Sequence, residues 1–182
     1  MTPPPPTDTR VPASWLPVVR LAWLACALLL IAGFVLGVPY LHAELSAVCT
    51  ADCLPYAMTQ AEADLLADWG MSLDLYAAYL SSAEIYLALA FTLPALLIFW
   101  RKSADWIGVL ASLAILFVGL VVMAEELRAL ARAYPPLFAP IEVLTSVGVL
   151  LFMLLFYLFP DGRFAPRWLG YVVAVSSLVI LV

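Results

Sequence analysis

Residues 18–40 of this chain read VVRLAWLACALLLIAGFVLGVPY, a stretch of almost pure hydrocarbon side chains. A helix rises about 1.5 Å per residue, so about 20 apolar residues cross the roughly 30 Å hydrocarbon core of a bilayer. The stretch is too long for the apolar segment of a signal peptide, and it lacks a small-x-small cleavage site. We therefore predict an uncleaved transmembrane helix here.

The rest of the chain repeats this pattern. Further apolar runs cover 73–100, 106–124 and 140–159, and another begins at 169 and reaches 182. The run 106–124 is expected to continue beyond the bilayer as the helix EELRALARAY. The last run gives only about 21 Å of helix. The sequence thus predicts an all-α polytopic transmembrane helix bundle with four complete spans plus a truncated fifth, whose reading frame is expected to continue.

The composition indicates lipid as the principal partner of this chain. Hydrophobic residues make up 66% of the sequence and charged residues 12%, against about 45–50% and roughly 25% in soluble domains. The net charge of −5 excludes a nucleic-acid-binding protein, which needs clustered cations. The Pro-rich residues 1–14 are predicted to be a disordered cytoplasmic tail, and residues 15–182 a single transmembrane helical domain.

Lysine and arginine residues divide unequally between the two sides of the predicted spans. Six lie on one side and two on the other. Because cytoplasmic loops carry the excess of cations, the N-terminus is predicted to be cytoplasmic. The six are Arg10, Arg20, Arg101, Lys102, Arg163 and Arg167, and the two are Arg128 and Arg132.

The outer loop, residues 42–72, is predicted to contain one short amphipathic helix. Thr59 and Glu62 have the spacing of a capping box, and Gly70 fits the position after a helix C-terminus. A helix with one apolar face is typical of a segment lying on the membrane surface. The apolar residues of that face are Leu65, Leu66 and Trp69.

Cys49 and Cys53 lie in the same outer loop, on the oxidising side of the predicted membrane. Their spacing permits a disulfide, which we predict, although two free thiols or half of a metal site would use the same residues. His42 is the only histidine and no second cysteine pair exists, so no metal site is predicted. Cys26 is expected to pack within the first span.

A polar cluster is predicted near the outer ends of the spans. Glu84 lies about 5 Å inside the second span, and an ionisable group within a membrane marks a functional site by default. The cluster forms either a pocket for a cation or small ligand or, as we prefer, a solvated band of helix-end charges. Its members are Asp74, Glu84, Glu125, Glu126, Arg128, Arg132 and Glu142.

Two features of the spans concern helix packing. Gly33 and Gly37 form a GxxxG pattern, which permits close helix contact. The pattern leaves open whether this contact lies within the monomer or in a homodimer. Pro94 is expected to kink the second span.

No catalytic motif is present: the sequence has no GxSxG, no P-loop and no HExxH. We therefore predict that the chain is not an enzyme and that it needs no cofactor.

The stretch FPDGRFAPRW, residues 159–168, is predicted to be a rigid inner hairpin between the fourth and fifth spans. A Pro-Asp-Gly sequence favours a tight turn, since proline fixes φ and glycine tolerates positive φ. The two arginines lie at headgroup depth and the tryptophan anchors the next helix. The residues of this hairpin are Pro160, Asp161, Gly162, Arg163, Arg167 and Trp168.

The run FYLFPDGRFAPRW resembles a loop in the multi-pass N-terminal membrane regions of certain bacterial sensor histidine kinases. The stretch WGMSLDLYAAYLSSAEIYLALAFTLPALLIFWRKSADWIGVLASL, residues 69–113, is similar to the preceding part of those regions. The resemblance implies a sensory input module of a two-component signalling kinase in the bacterial plasma (inner) membrane.

The same resemblance does not extend to catalysis. This sequence has no phosphoacceptor helix and no ATP-binding domain, and His42 lies on the outer side of the predicted membrane. The ligand or stimulus of such a module is left open. Two other functions fit the sequence: an accessory subunit of a larger membrane complex, and a small transporter.

Overall fold

The computed structural model describes residues 9–50 and 56–158, and within these ranges every regular element is helical. The all-α class is thus confirmed. A π-helical turn, Val118–Val122, follows α4, and a short 3₁₀ helix, Pro135–Leu137, precedes α6. The α-helices are α1 (Leu16–Leu45), α2 (Gln60–Asp68), α3 (Leu73–Lys102), α4 (Trp106–Phe117), α5 (Glu126–Ala133) and α6 (Phe138–Leu158).

Three helical segments are long and apolar enough to cross a membrane: Leu16–Leu45, Leu73–Lys102 and Pro135–Leu158. They match three of the predicted runs. A fourth segment qualifies only if Trp106–Val122 and Glu126–Ala133, which meet at a bend of 52°, are counted together. We call this pair the broken span. The predicted fifth span and the hairpin at 159–168 lie outside the described residues.

Local sequence explains where these helices begin. Pro17 stands in the first turn of α1, where its missing N–H costs nothing. The Ser72 hydroxyl accepts a hydrogen bond from the Leu75 N–H at 3.1 Å at the start of α3. The Asp105 carboxylate accepts one from the Ile107 N–H at 3.1 Å at the start of α4. Such caps satisfy donors that a helix leaves unpaired in its first turn.

One end of the bundle, which we call the basic end, joins the N-terminal segment to the turn between α3 and α4. The Val11 N–H donates to the Ala104 carbonyl, and the Trp106 N–H donates to the Thr9 carbonyl, both at 2.9 Å. Arg20 Nε donates to Ser103 Oγ at 3.0 Å. Residues 9–11 therefore differ from the predicted disordered tail, because their backbone groups pair with this turn. Residues 1–8 lie outside the described residues.

The core lies between α1, α3, α4 and α6. Trp23 of α1 stacks on Phe99 of α3, with ring centroids 3.9 Å apart and an interplanar angle of 7°. Helix α4 packs against both α3 and α6, while α1 packs against α3 and α5. Ala95 and Leu116 are completely buried at these contacts. The broken span thus occupies the centre of the bundle.

The short helix predicted in the outer loop is present as α2. A capping box joins Thr59 and Glu62 at its N-terminus, and Gly70 has a φ of 78° just after it. Of its apolar residues, Leu66 is buried, whereas Leu65 and Trp69 are exposed. Its position on a membrane surface stays a prediction.

Candidate functional site

The broken span changes direction where its π-helical turn ends. The Met123 N–H donates to the Val118 carbonyl at 2.9 Å, the five-residue spacing of a π-helix. Gly119 lies in this turn against Phe91 of α3, and a Cβ at Gly119 would collide with the Cβ of Phe91. The chain bends before α5 begins at Glu126. The predicted helical continuation of the third span is present as α5, but it is a separate helix, because the π-helical turn and the bend divide it from α4.

Glu126 is the first residue of α5 and is 0% exposed. Within the described part of the chain, neither of its carboxylate oxygens has a hydrogen-bond partner. Its neighbours Leu127 and Ala129 are also buried. Buried polar groups are almost always hydrogen-bonded, and burying an unpaired charge is far more costly than burying a neutral group. An orphaned carboxyl in this position therefore needs a functional explanation.

Helix α1 approaches the backbone of α5 at the GxxxG pattern. A Cβ at Gly37 would collide with the carbonyl oxygen of Glu126, and one at Gly33 would lie 2.7 Å from Cδ2 of Leu127. The two glycines therefore serve packing within the monomer. A homodimer through the same face would have to displace α5.

Two arginines of α5 form ion pairs beside this contact. Arg128 Nη1 lies 2.8 Å from Glu125 Oε1. Arg132 makes a bidentate ion pair with Glu44 of α1, in which Nη2 donates to Oε2 at 2.7 Å and Nε donates to Oε1 at 3.0 Å. A longer contact of 3.8 Å joins Arg132 to Glu125. The pair of Arg132 with Glu44 joins α5 to the end of α1, whereas the two contacts with Glu125 lie within α5 and its N-cap.

The hydroxyls of Tyr40 and Tyr134 add a second contact between the same elements. They lie 2.8 Å apart and share a hydrogen bond, and the two rings pack edge to face. The end of the bundle that carries Glu44, Glu84, Glu125 and Glu126 is called the acidic end below.

Two carboxyl groups at the acidic end remain without a cation. Glu84 Oε2 of α3 is buried and has no hydrogen-bond partner in the described ranges, and the same holds for Ser81 Oγ one turn earlier. Glu84 and Glu125 both repel a negative charge on Glu126. The arginines are paired with Glu125 and Glu44, so Glu84 and Glu126 share uncompensated, apolar surroundings.

The structure brings most of the predicted polar cluster together but not all of it. Asp74 lies instead beside His42, with 3.4 Å between Oδ1 and Nε2. Glu142 is exposed on α6, and no ion pair of it occurs among residues 9–50 and 56–158. The cluster members that lie together are Glu84, Glu125, Glu126, Arg128 and Arg132.

Sequence reasoning missed Glu44 as a member of this site. Glu44 lies seven residues after Gly37, which places both on the same face of α1. The face that packs on α5 at Gly37 therefore presents Glu44 to the far end of α5. This spacing of seven residues could have identified Glu44 as a member of the site from the sequence.

The two described cysteines differ in their bonding state. Cys49 is disulfide-bonded, whereas Cys26 is a free, partly buried thiol in α1. Cys53 lies outside the described residues, so its predicted pairing with Cys49 stays a prediction. The hairpin residues Pro160 to Trp168 also lie outside them. In residues 9–50 and 56–158, no group of three His, Cys, Asp or Glu side chains is arranged to hold a metal ion.

Comparisons with known proteins add no relative to this picture. No protein-family model, no curated protein and no solved structure matches the chain.

Proposed function

We propose that this chain is the membrane-embedded sensory module of a bacterial two-component signalling kinase, lying in the inner membrane with its N-terminus in the cytoplasm. The proposal combines the resemblance of residues 69–113 and 156–168 to such regions with the architecture of the bundle. The module carries no catalysis itself; it passes a conformational change to signalling domains.

The observation that carries the proposal is the joint in the broken span. The π-helical turn and the bend of 52° separate α5 from α4, so α5 can move without moving the whole span. It packs closely on α1, and three specific contacts mark this interface: the backbone approach at Gly37, the ion pair of Arg132 with Glu44, and the tyrosine pair. A closely packed helix joined to its span by a bend is suited to two discrete arrangements, because packed interfaces switch between arrangements instead of deforming continuously.

Helix α1 connects this joint to the opposite end of the bundle. It is one helix of 30 residues, about 45 Å long, with Gly37 near one end and Arg20 near the other. At the basic end it contacts α3 through the stacked rings of Trp23 and Phe99 and the hydrogen bond from Arg20 to Ser103. A shift of α1 against α5 therefore changes contacts at the basic end, where cytoplasmic domains would be attached.

The test is made on the native protein with a chromosomal affinity tag, purified from the membranes of its own host and incubated with radiolabelled ATP. A sensor module predicts a phosphohistidine on the purified protein or on a kinase copurified with it. An Arg132→Gln variant, which releases α5 from Glu44, should change that signal. The matched control is Arg101→Gln, which removes an exposed arginine at the basic end.

An accessory subunit would give a different result in the same experiment. Stoichiometric copurification with an assembled membrane complex, without phosphohistidine in any of these samples, would show an accessory subunit and contradict the proposal.

A small transporter is the second candidate, favoured by the position of Glu126 at the start of a helix segment after a break. Transporters place binding groups at the interrupted helices of their substrate sites. Proteoliposomes holding the purified chain and a pH-sensitive dye decide between the two. A sensor predicts no protein-dependent proton flux under an imposed pH gradient, and a flux lost in Glu126→Gln would favour the transporter.

A further inference from the structure

Glu126 is the only member of the described polar cluster whose side chain is completely buried and has both oxygens unpartnered. The backbone carbonyl and the Cβ of Glu126 lie against Gly37 of α1, so the side chain begins at the contact of α5 with α1. Burial disfavours the charged form of a carboxyl group relative to the neutral form, and the backbone N–H groups of Glu125 and Glu126 offset only part of this effect.

The charged groups on every element around Glu126 act in the same direction or are already paired. On α3, Glu84 carries a carboxyl group that would repel a negative Glu126, and Glu125, the residue before α5, is paired with Arg128. Helix α1 contributes Glu44, which is paired with Arg132. Helix α4 contains no ionisable residue, and Glu142 of α6 is exposed. Arg20 of α1 and Arg101 and Lys102 of α3 lie at the basic end, so no described cation at the acidic end is left to compensate a negative Glu126.

The missing partner of this carboxyl group must be small. A side chain with 0% exposure leaves no access for a hydrated ion, and the backbone of α1 closes the site at Gly37. Among the described residues, no group of three His, Cys, Asp or Glu side chains could hold a metal ion here. A proton supplies the required positive charge and needs no space.

We propose that Glu126 is a proton-binding site that controls the docking of α5: the carboxyl carries a proton while α5 lies against Gly37, and loss of the proton releases α5 from α1. The released carboxylate gains water and escapes the repulsion of Glu84. Docking is therefore complete at low pH and is lost as the pH rises. That this proton is the stimulus of the module rests on the proposed sensory function, whereas the proton site itself does not.

The experiment uses the full chain in lipid nanodiscs and follows two signals during a pH titration. The first is the infrared C=O stretching band of a protonated carboxyl group, compared among the parent, Glu126→Gln, Glu84→Gln and Glu142→Gln. The second is maleimide labelling of an Ala129→Cys variant in which the free Cys26 is replaced by serine, since Ala129 is 0% exposed beside α1. Dividing its labelling rate by the rate in Glu126→Gln/Ala129→Cys removes the pH dependence of thiol chemistry.

The proposal predicts a band that disappears in Glu126→Gln and persists in Glu142→Gln. It also predicts a rate ratio that rises by up to about tenfold per pH unit through the transition, the limit for one linked proton. A flat ratio, or loss of the band in Glu84→Gln but not in Glu126→Gln, would overturn it. So would a titration that shifts when sodium replaces a large organic cation, because a metal ion would then compete for the site.

These results are separable from those of the kinase test. A titrating Glu126 in a protein that forms no phosphohistidine would leave the proton site intact and contradict the sensory function. A phosphorylating protein with a flat labelling ratio would leave the sensory function intact and contradict the proton site.

Discussion

Helix α3 and the broken span are neighbours in the bundle, but the one that contains a helix-breaking residue is not the one that is interrupted. Helix α3 contains Pro94, the strongest helix breaker, and still runs as one helix from Leu73 to Lys102. The broken span contains no proline and bends by 52°. Local helix-breaking residues therefore do not decide which span is interrupted.

The difference follows from what each helix packs against. A proline in a transmembrane helix frees one carbonyl, and neighbouring groups can satisfy it. The break in the other span lies where Gly119 touches Phe91 and where α5 is drawn to α1 by Gly37 and Glu44. Tertiary contacts between distant parts of the chain therefore produce the break. Substitutions at these contacts should destabilise the protein more than a substitution of Pro94.

The largest effect is expected for Gly37→Ala. The added methyl group collides with the carbonyl of Glu126, a backbone group that cannot rotate away, so the cost should lie near the upper end of about 1–3 kcal/mol for overpacking. The matched control is Gly33→Ala, whose methyl group meets only the tip of Leu127. Reversible unfolding in mixed detergent micelles measures both; equal costs would contradict the close backbone approach.

A second pair of variants compares the two spans directly. Gly119→Ala places a methyl group against the Cβ of Phe91 and should cost about 1–3 kcal/mol of unfolding free energy. Pro94→Ala should change it by less than about 1 kcal/mol, because α3 is already continuous. The same unfolding assay applies. If Pro94→Ala were the more damaging variant, the contrast between the spans would be wrong.

These expectations show what the sequence could predict. The apolar helices α1, α3 and α6 were predictable because a helix that is apolar over this length is stable mainly in lipid. Helix α2 was predictable from the Thr59 and Glu62 spacing, which is a local signal. The break was not, since Glu44 and Arg132 are separated by 88 positions.

From the sequence, the unpartnered carboxyl group of Glu126 was predicted only as one member of the polar cluster. Glu125 and Glu126 are adjacent, and consecutive helical residues point about 100° apart. The sequence does not say which of them faces α1. The packing of Gly37 against the Glu126 backbone decides it, and it leaves Glu125 free to reach Arg128.

A smaller effect is expected for the ion pair that joins α5 to α1. Both side chains are about 30% exposed, so the coupling energy between Glu44 and Arg132 should be about 0.5–1 kcal/mol. A double-mutant cycle with Glu44→Gln and Arg132→Gln measures it. Additive single effects would show that the pair does not hold α5.

The smallest effect is local to α2. The N–H and hydroxyl of Thr59 donate to the Glu62 carboxylate, both at 2.8 Å, and the backbone hydrogen bond, followed by that of the hydroxyl, lowers the pKa of Glu62. A lowered pKa stabilises the helix above the ordinary glutamate range, and this contribution is lost as the pH falls through the pKa of the folded form. Amide exchange in α2 should therefore accelerate on acidification, and a Glu62→Gln variant should show less change. Identical pH profiles would contradict the capping role.

The central claim is that the broken span returns α5 to α1 and so buries Glu126. Leu41 of α1 and Ala129 of α5 are buried in one small cluster, whereas Leu36 of α1 is 60% exposed. The direct measurement is disulfide cross-linking by a small membrane-permeant oxidant, with Cys26→Ser and the Cys49 disulfide intact, because the docked position 129 excludes a maleimide. The account predicts a cross-link for Leu41→Cys/Ala129→Cys and none for Leu36→Cys/Ala129→Cys. Equal cross-linking of both pairs, or a cross-link only with position 36, would show that α5 does not lie where the structure places it.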